Sequence, residues 1–228
     1  MRRRPTIHEQ VWPKDSSFDS LRAWPQDFSA QVLQRVWQAF DLLQDGVFRY
    51  VTNWDDLEHL ERSLTDLHYD KIVELQSGEE PFLPTREVPD FESRKSASAM
   101  PRSNDFGFKL RGGDLSLVWP LEAKVISSLQ RVADYLNDLN TKYLTCKSSP
   151  FSHEAGLIGY LLNVDSESVL SRIGQDIKFQ PNRSEIFSNR LHCFSDHERK
   201  VPLGKPYPAR LRCHHLLMAI AGQEPSRG

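Results

Sequence analysis

The chain has 228 residues, 26% of them charged and 39% hydrophobic, and a formal net charge of −2. This composition is typical of a globular protein, and no apolar run approaches the roughly 20 residues that span a membrane. The basic start, Met-Arg-Arg-Arg-Pro, lacks the apolar segment of a secretory signal, and three scattered cysteines suit a reducing compartment. We therefore predict a cytoplasmic protein without membrane contact.

The charge is unevenly distributed along the chain. Residues 52–80 contain nine acidic and two basic residues, a local balance of −7, whereas residues 183–212 contain seven basic and three acidic residues, a balance of +4. Two solvated surfaces would explain this pattern. An acidic helix opposite a basic C-terminal half would also keep a polyanion on one side of the molecule.

The N-terminal third predicts an irregular arm followed by two helices. Residues 1–28 have no clear period, whereas apolar residues recur every three or four positions from Ser29 to Gly46 and from Trp54 to Leu75. Thr52 or Asn53 would cap the second helix. The two helices form a hairpin that packs on the domain or, alternatively, offer a surface to a partner.

Residues 79–104 contain four prolines and predict a loop, with at most one short helix near residues 90–99. Two carboxylates in this loop, Glu87 and Glu92, lie upstream of the segment that carries the chemistry. Either could approach that segment, although solvated surface is the simpler interpretation.

Residues 105–124 predict a β-hairpin with a charged end. Apolar residues alternate over 106–110 and 115–123, and Gly112-Gly113 suits the turn between two strands. With that turn, Phe106 faces Trp119 and Phe108 faces Leu117, forming one apolar face.

The opposite face of this hairpin collects Asp105, Pro120, Glu122 and Lys124. Asp105 lies opposite Pro120 and diagonal to Glu122, a separation of roughly 7–8 Å that an ion can bridge. Asp114 is excluded as a ligand, because eight residues of strand place it about 26 Å from Glu122.

The rest of the chain predicts a helix over 126–143, a buried strand over 156–162, a helix after the cap Asp165, and strands near 190–195 and 209–218. The fold class is therefore α/β, a mixed β-sheet with flanking helices. We divide the chain into an N-terminal arm with a helical hairpin, 1–80, and an α/β domain, 81–228.

The charged end of the hairpin fits phosphodiester hydrolysis. Two carboxylates are hard ligands that suit Mg²⁺ or Mn²⁺, and these ions also accept water and phosphate oxygens. A neighbouring lysine can orient a water molecule and stabilise charge on the phosphate.

This pattern, Asp105 on one strand and Glu122-Ala-Lys124 on the next, resembles the restriction-endonuclease-like PD-(D/E)xK nuclease superfamily. The resemblance covers roughly residues 85–163 and implies a core of helix, antiparallel meander, crossover helix and further strand. It also implies Asp105 and Glu122 as metal ligands, the Ala123 carbonyl as a third ligand, and Lys124 as the catalytic lysine. Asn104 replaces the proline that usually precedes the aspartate.

Two further segments, 143–160 and 195–199, resemble small bacterial nucleases of this superfamily that act in phage defence, often beside an ATPase or helicase-like partner. The resemblance implies that Lys147, His197 and Arg199 face DNA phosphates; a purely structural role explains them equally well. A zinc site built from Cys193, His197, Cys213, His214 and His215 is disfavoured, because zinc ligands usually come from tight turns whereas Cys213 and His215 fall within a predicted strand.

The sequence thus predicts a Mg²⁺- or Mn²⁺-dependent DNA endonuclease. Two alternatives stay open: a non-catalytic subunit of the same fold that binds nucleic acid or a partner protein, and a phosphodiesterase acting on a small nucleotide. The sequence also leaves a homo-oligomer open.

Overall fold

The computed structural model describes residues 27–46, 56–89, 103–112, 117–178 and 180–220. These residues form four α-helices and one seven-stranded sheet, so the protein is mixed α/β, as the sequence predicts. The helices are α1 (Phe28–Gly46), α2 (Leu57–Glu74), α3 (Val132–Asp138) and α4 (Ser166–Ile177). The strands are β1 (Phe82–Pro89), β2 (Ser103–Leu110), β3 (Trp119–Ile126), β4 (Glu154–Leu161), β5 (Asn182–Arg183), β6 (His192–Glu198) and β7 (Arg210–Ala219).

The sheet has the strand order β1-β2-β3-β4-β7-β6-β5. β1, β2 and β3 form an antiparallel meander, and β4 then lies parallel to β3 after the connection that contains α3. β7 is parallel to β4, and β6 and β5 complete the sheet in antiparallel pairing. β3 and β4 are therefore central strands, buried on both faces.

Each face of the sheet carries its own apolar core. One core joins α1 and α2 to side chains such as Phe106, Trp119 and Tyr160. The other joins α3 and α4 to side chains such as Ile126 and Leu157 on the opposite face. Packing of the two N-terminal helices on the sheet is thereby confirmed, whereas the domain boundary at residue 80 stays a prediction. None of the described helices has the length and apolarity to cross a membrane.

The two N-terminal helices are tied to the sheet by a buried histidine. The His68 ring on α2 lies 2.9 Å from the Val36 carbonyl of α1 through Nε2, and 2.8 Å from the Tyr160 hydroxyl of β4 through Nδ1. A carbonyl can only accept, so Nε2 carries the proton and Nδ1 accepts from Tyr160. The predicted cap of α2 was wrong, because Asp56 caps the helix by accepting from the His59 amide.

The first strand of the meander, β1, lies where the sequence predicts a loop. Pro84 and Pro89 suggested an irregular segment, but β1 is an edge strand, where a missing amide proton need not interrupt the ladder. Residues 90–99, where a short helix was considered, and Glu92 lie outside the described residues. Glu87 lies on β1, where its backbone alone is described.

The later elements follow the predictions closely. β4 occupies Glu154–Leu161, α4 begins after the predicted cap Asp165, and β6 and β7 lie where strands were expected. The helix predicted over 126–143 is composite: a 3₁₀ turn at Leu129–Arg131, α3, and a π-helical turn at Leu139–Tyr143. β3 and β4 approach closely at Gly156, because a Cβ there would lie 2.3 Å from the Leu121 side chain, which would have to shift.

The hairpin strands have a different register than predicted. Phe106 pairs with Leu121 and Phe108 with Trp119, so the predicted pairing of Phe106 with Trp119 and of Phe108 with Leu117 is wrong by two residues. Just after β2, Arg111 donates its amide to the Pro81 carbonyl beside β1, and the predicted turn at Gly112-Gly113 lies partly outside the described residues. Asp114 lies outside the described residues.

Buried neutral histidines make the fold sensitive to acid. Burial lowers the pKa of His68 to about 4, and burial also lowers the pKa values of His192 and His215 to about 3. Between a pKa of about 6.5 in the unfolded chain and these folded values, the unfolded state binds more protons. The free energy of unfolding therefore falls with decreasing pH, by up to about 1.4 kcal/mol per pH unit for each histidine.

We expect His68→Gln to reduce the pH dependence of the free energy of unfolding by the contribution of one histidine. Glutamine can still donate and accept a hydrogen bond, but it does not titrate. Urea denaturation between pH 7.5 and pH 5 measures the slope. His59→Gln on the exposed side of α2 is the matched control and should leave it unchanged. An unchanged slope in His68→Gln would contradict the assignment of His68 as buried and neutral.

Candidate functional site

Asp105 and Glu122 lie side by side where β2 and β3 separate. Paired residues of the two strands extend only from Phe106–Leu121 to Phe108–Trp119. Continuing this pairing by one residue places Asp105 opposite Glu122, nearer than the diagonal position that the sequence suggested. The observed pairing differs from the predicted one by two residues, and side chains alternate between the two faces of a strand. Both carboxylates therefore lie on the face of the sheet that the sequence predicted.

Beyond that point, carboxylates replace β2 along the edge of β3. Asp105 Oδ2 accepts from the Ala123 amide at 2.8 Å, and Glu61 Oε2 of α2 accepts from the Val125 amide at 3.1 Å. Both amides belong to a buried strand and would otherwise lack a partner at this edge. The sequence folds this way locally because an acidic helix, α2, packs beside the end of the meander.

Glu122 is the most deeply buried carboxylate of the site, with 1% of its surface exposed. Burial raises its pKa well above the usual range, the negative charges of Asp105 and Asp138 raise it further, and Lys142 lowers it. Its Oε2 lies 2.9 Å from the Lys142 ammonium, whereas its Oε1 is buried with no hydrogen-bond partner among the described residues. A carboxyl group in this environment is neutralised either by a proton or by a further cation beside its vacant oxygen.

Lys124 reaches α2 and α3 from the end of β3. Its Nζ donates to Glu61 Oε1 at 2.7 Å and lies 3.8 Å from Asp138 Oδ2. Burial lowers the pKa of Lys124, but the hydrogen bond and charge of Glu61 outweigh it, and the net effect is a raised pKa. Lys124 is therefore an ammonium group, suited to donating hydrogen bonds and stabilising negative charge, but not to accepting a proton.

The helix after β3 supplies two charged residues that sequence reasoning missed. Asp138 is 5% exposed, and its Oδ1 lies 2.9 Å from Lys142 Nζ. Their four-residue spacing on a predicted helix was a readable signal of an ion pair. Its direction toward Glu122 was not readable, because the π-helical turn at Leu139–Tyr143 changes the angular position of Lys142. Such turns often occur at functional sites.

A cleft leads from the surface to Asp105. It encloses about 270 Å³ between α2 and the meander, and its walls are Glu58, Glu61, Arg62, Thr65, Asp66, Arg86 and Asp105. Arg86 is ion-paired with Asp66. Arg62 is exposed and forms no ion pair with any residue that the structure describes.

The three residues considered for phosphate binding lie elsewhere. Arg199 is buried and donates to the carbonyl oxygens of Tyr143, Pro150 and Ser152, which holds the loop after the π-helical turn. His197 lies on β6, separated from β3 by β4 and β7, and its Nε2 is 2.7 Å from Ser195 Oγ.

Lys147 is exposed in the loop that Arg199 holds. The structure thus joins Asp105, Glu122 and Lys124 but does not bring Lys147, His197 and Arg199 to them, and phosphate binding by these three residues stays a prediction.

Asn104, which precedes Asp105, is held by two side-chain hydrogen bonds. Its side chain is buried, with Oδ1 accepting from Ser148 Oγ at 2.6 Å and Nδ2 donating to Ser149 Oγ at 3.0 Å. The residue before Asp105 therefore anchors the strand to the loop that carries Lys147. A proline could not make these hydrogen bonds.

The donor set limits which metal site is feasible. Within residues 27–46, 56–89, 103–112, 117–178 and 180–220, no group of three or more His, Cys, Asp or Glu side chains is placed to hold a metal ion. A site for Mg²⁺ can instead combine two carboxylates with a backbone carbonyl, water and substrate oxygens. Cys193, Cys213 and His215 are buried strand residues, as predicted.

Comparison of the chain with protein-family models, curated proteins and solved structures finds no significant match. The nuclease superfamily therefore stays a resemblance carried by the sequence pattern.

The contact between Asp105 and Ala123 can be separated from any catalytic role of Asp105. Asp105→Ala leaves the Ala123 amide without its acceptor, so we expect the free energy of unfolding to fall by about 1–3 kcal/mol. Asp105→Asn keeps an oxygen acceptor and should lose clearly less. Equal losses in the two variants, measured by urea denaturation, would argue against this hydrogen bond.

Proposed function

We propose that this protein is a metal-dependent nuclease that hydrolyses DNA phosphodiester bonds. The observation that carries the proposal is the buried Glu122 Oε1, which lacks a hydrogen-bond partner among the described residues and lies on the strand beside Asp105. A divalent ion would supply the missing positive charge. Asp105 and Glu122 would hold it, together with the Ala123 carbonyl.

The charge balance of the site supports a divalent ion. When all groups are ionised, the carboxylates of Glu61, Asp105, Glu122 and Asp138 contribute −4, and Lys124 and Lys142 contribute +2. The balance is −2 in a largely buried environment, where uncompensated charge is costly. One Mg²⁺ or Mn²⁺ neutralises it.

The arrangement of β-strands and helices also supports the proposal. α2, the meander β1-β2-β3, α3 and the parallel strand β4 follow the order expected of a restriction-endonuclease-like core. The carboxylates and Lys124 occur at the positions that the resemblance implies. We infer from this agreement that the core is of that type.

A bound Mg²⁺ or Mn²⁺ would polarise a phosphate oxygen and activate a water molecule. Asp105 and Glu122 fix the position of this chemistry, because both are anchored by the strands that bear them. Lys124, kept charged and oriented by Glu61, donates hydrogen bonds to the phosphate oxygens as negative charge grows on them. The proton of the attacking water passes to solvent or to a phosphate oxygen, since Lys124 already carries its own.

The cleft would give a substrate access to Asp105, because it encloses about 270 Å³ and is open to the surface. Arg62 on its wall is a guanidinium group that suits a phosphate oxygen, whereas Arg86 is already paired with Asp66. Since Glu58, Glu61 and Asp105 also line the cleft, a bound cation would be needed there to admit a polyanion. A DNA-cleaving enzyme of this kind fits the further proposal of a cytoplasmic role in defence against foreign DNA, beside an ATPase or helicase-like partner.

The alternative function is a non-catalytic subunit that binds nucleic acid or a partner protein. Lys142 favours it, because an internal ammonium already contacts Glu122 and Asp138 and compensates part of their charge. In that case the cluster would be structural, and the chain would bind no divalent ion.

Cleavage of supercoiled plasmid with Mg²⁺ or Mn²⁺ tests the proposal. We expect the wild type to cleave and Glu122→Gln and Lys124→Met to lose activity by roughly a hundredfold or more, since each removes a charge from the reacting centre. Exposed Glu79→Gln and Lys200→Met are the matched controls and should retain wild-type activity.

Full activity in Glu122→Gln or in Lys124→Met would contradict the assigned site. Absence of cleavage together with absence of Mn²⁺ binding by the wild type would favour the non-catalytic subunit.

A further inference from the structure

Lys142 occupies a distinctive position between two buried carboxylates. Its Nζ lies 2.9 Å from Glu122 Oε2 and 2.9 Å from Asp138 Oδ1. Both carboxylates are almost fully buried, at 1% and 5% exposed. Lys142 is thus an internal cation beside the carboxylate that we assign to the metal.

This internal cation compensates the site only in part. Glu122 Oε1 and Asp138 Oδ2 are both buried without a hydrogen-bond partner among the described residues. One carboxylate oxygen of Glu122, Oε2, is therefore paired with Lys142, and the other, Oε1, has no partner among the described residues. A metal ion on the vacant oxygen would share the carboxylate with Lys142 and experience repulsion from the ammonium group.

The local backbone keeps Lys142 in this place. The π-helical turn at Leu139–Tyr143 includes a hydrogen bond from the Leu144 amide to the Leu139 carbonyl at 2.9 Å. The Lys142 carbonyl in turn accepts from the Lys147 amide at 2.9 Å. The backbone that bears Lys142 is therefore fixed, and the ion pairs with Glu122 and Asp138 hold its ammonium group.

We propose that Lys142 and Asp138 are positioning residues that set the affinity of the site for its divalent ion. This inference rests on the proposed metal site. Lys142 weakens metal binding because its charge opposes that of the ion, and Asp138 strengthens metal binding because it shares the ammonium with Glu122 and adds a negative charge. Together, Lys142 and Asp138 would give the site a moderate affinity, so that the bound divalent ion exchanges readily with solvent.

Mn²⁺ binding followed by electron paramagnetic resonance tests this inference without measuring activity. We expect Lys142→Met to bind Mn²⁺ at least roughly tenfold more tightly and Asp138→Asn several-fold more weakly, as one unit charge near an ion predicts. Lys200→Met is the matched control, because Lys200 is exposed and has no role in the proposed site.

The double variant Asp138→Asn/Lys142→Met guards against loss of folding, since it removes one charge of each sign. It should fold with a stability near that of the wild type and bind Mn²⁺ more tightly than Asp138→Asn alone. Circular dichroism and thermal unfolding with and without Mn²⁺ check both points.

The outcomes separate the two proposals. If the wild type binds Mn²⁺ and cleaves DNA but removing Lys142 does not tighten Mn²⁺ binding in either background, the inference about Lys142 is wrong and the nuclease proposal stands. If neither the wild type nor any folded variant binds Mn²⁺, the metal site and the inference are both wrong. Tighter binding in Lys142→Met but not in Lys200→Met supports the inference.

Discussion

The burial of Glu122 on a central strand is the constraint around which this end of the molecule is arranged. A carboxylate that is 1% exposed has lost its hydration and requires a neighbouring positive charge or a proton. β3 places Glu122 between Asp105 and the helix that bears Lys142. The strands, the π-helical turn and the acidic α2 are thus all connected to one buried charge.

The separation of β2 from β3 is equally important. It interrupts the hydrogen-bond ladder between the two strands without leaving the amides of β3 unpaired. Asp105 and Glu61 accept from the two amides of β3 that the meander no longer pairs. The same carboxylates line the cleft. Acceptors that stabilise the sheet edge are therefore also the anionic groups nearest to any ligand that enters.

The sequence predicted which face of the strands carries Asp105 and Glu122 better than it predicted the pairing of those strands. The predicted pairing was wrong, yet Asp105 and Glu122 still share a face, because side chains alternate along a strand and a shift of two residues preserves that alternation. β1 was missed since its prolines are tolerated at a sheet edge. Lys142 could not be assigned to Glu122, because its direction depends on a π-helical turn for which the sequence has no simple signal.

The hydrogen bond between Asn104 and Ser148 has a consequence for how this sequence can vary. Both side chains are buried, and the Ser148 hydroxyl donates to the amide oxygen of Asn104. Replacing one of the two residues alone would leave the other with a buried polar atom that has no hydrogen-bond partner. We therefore expect positions 104 and 148 to covary among homologous sequences. Such paired substitutions would indicate that the loop beside Asp105 is anchored in the same way in those proteins.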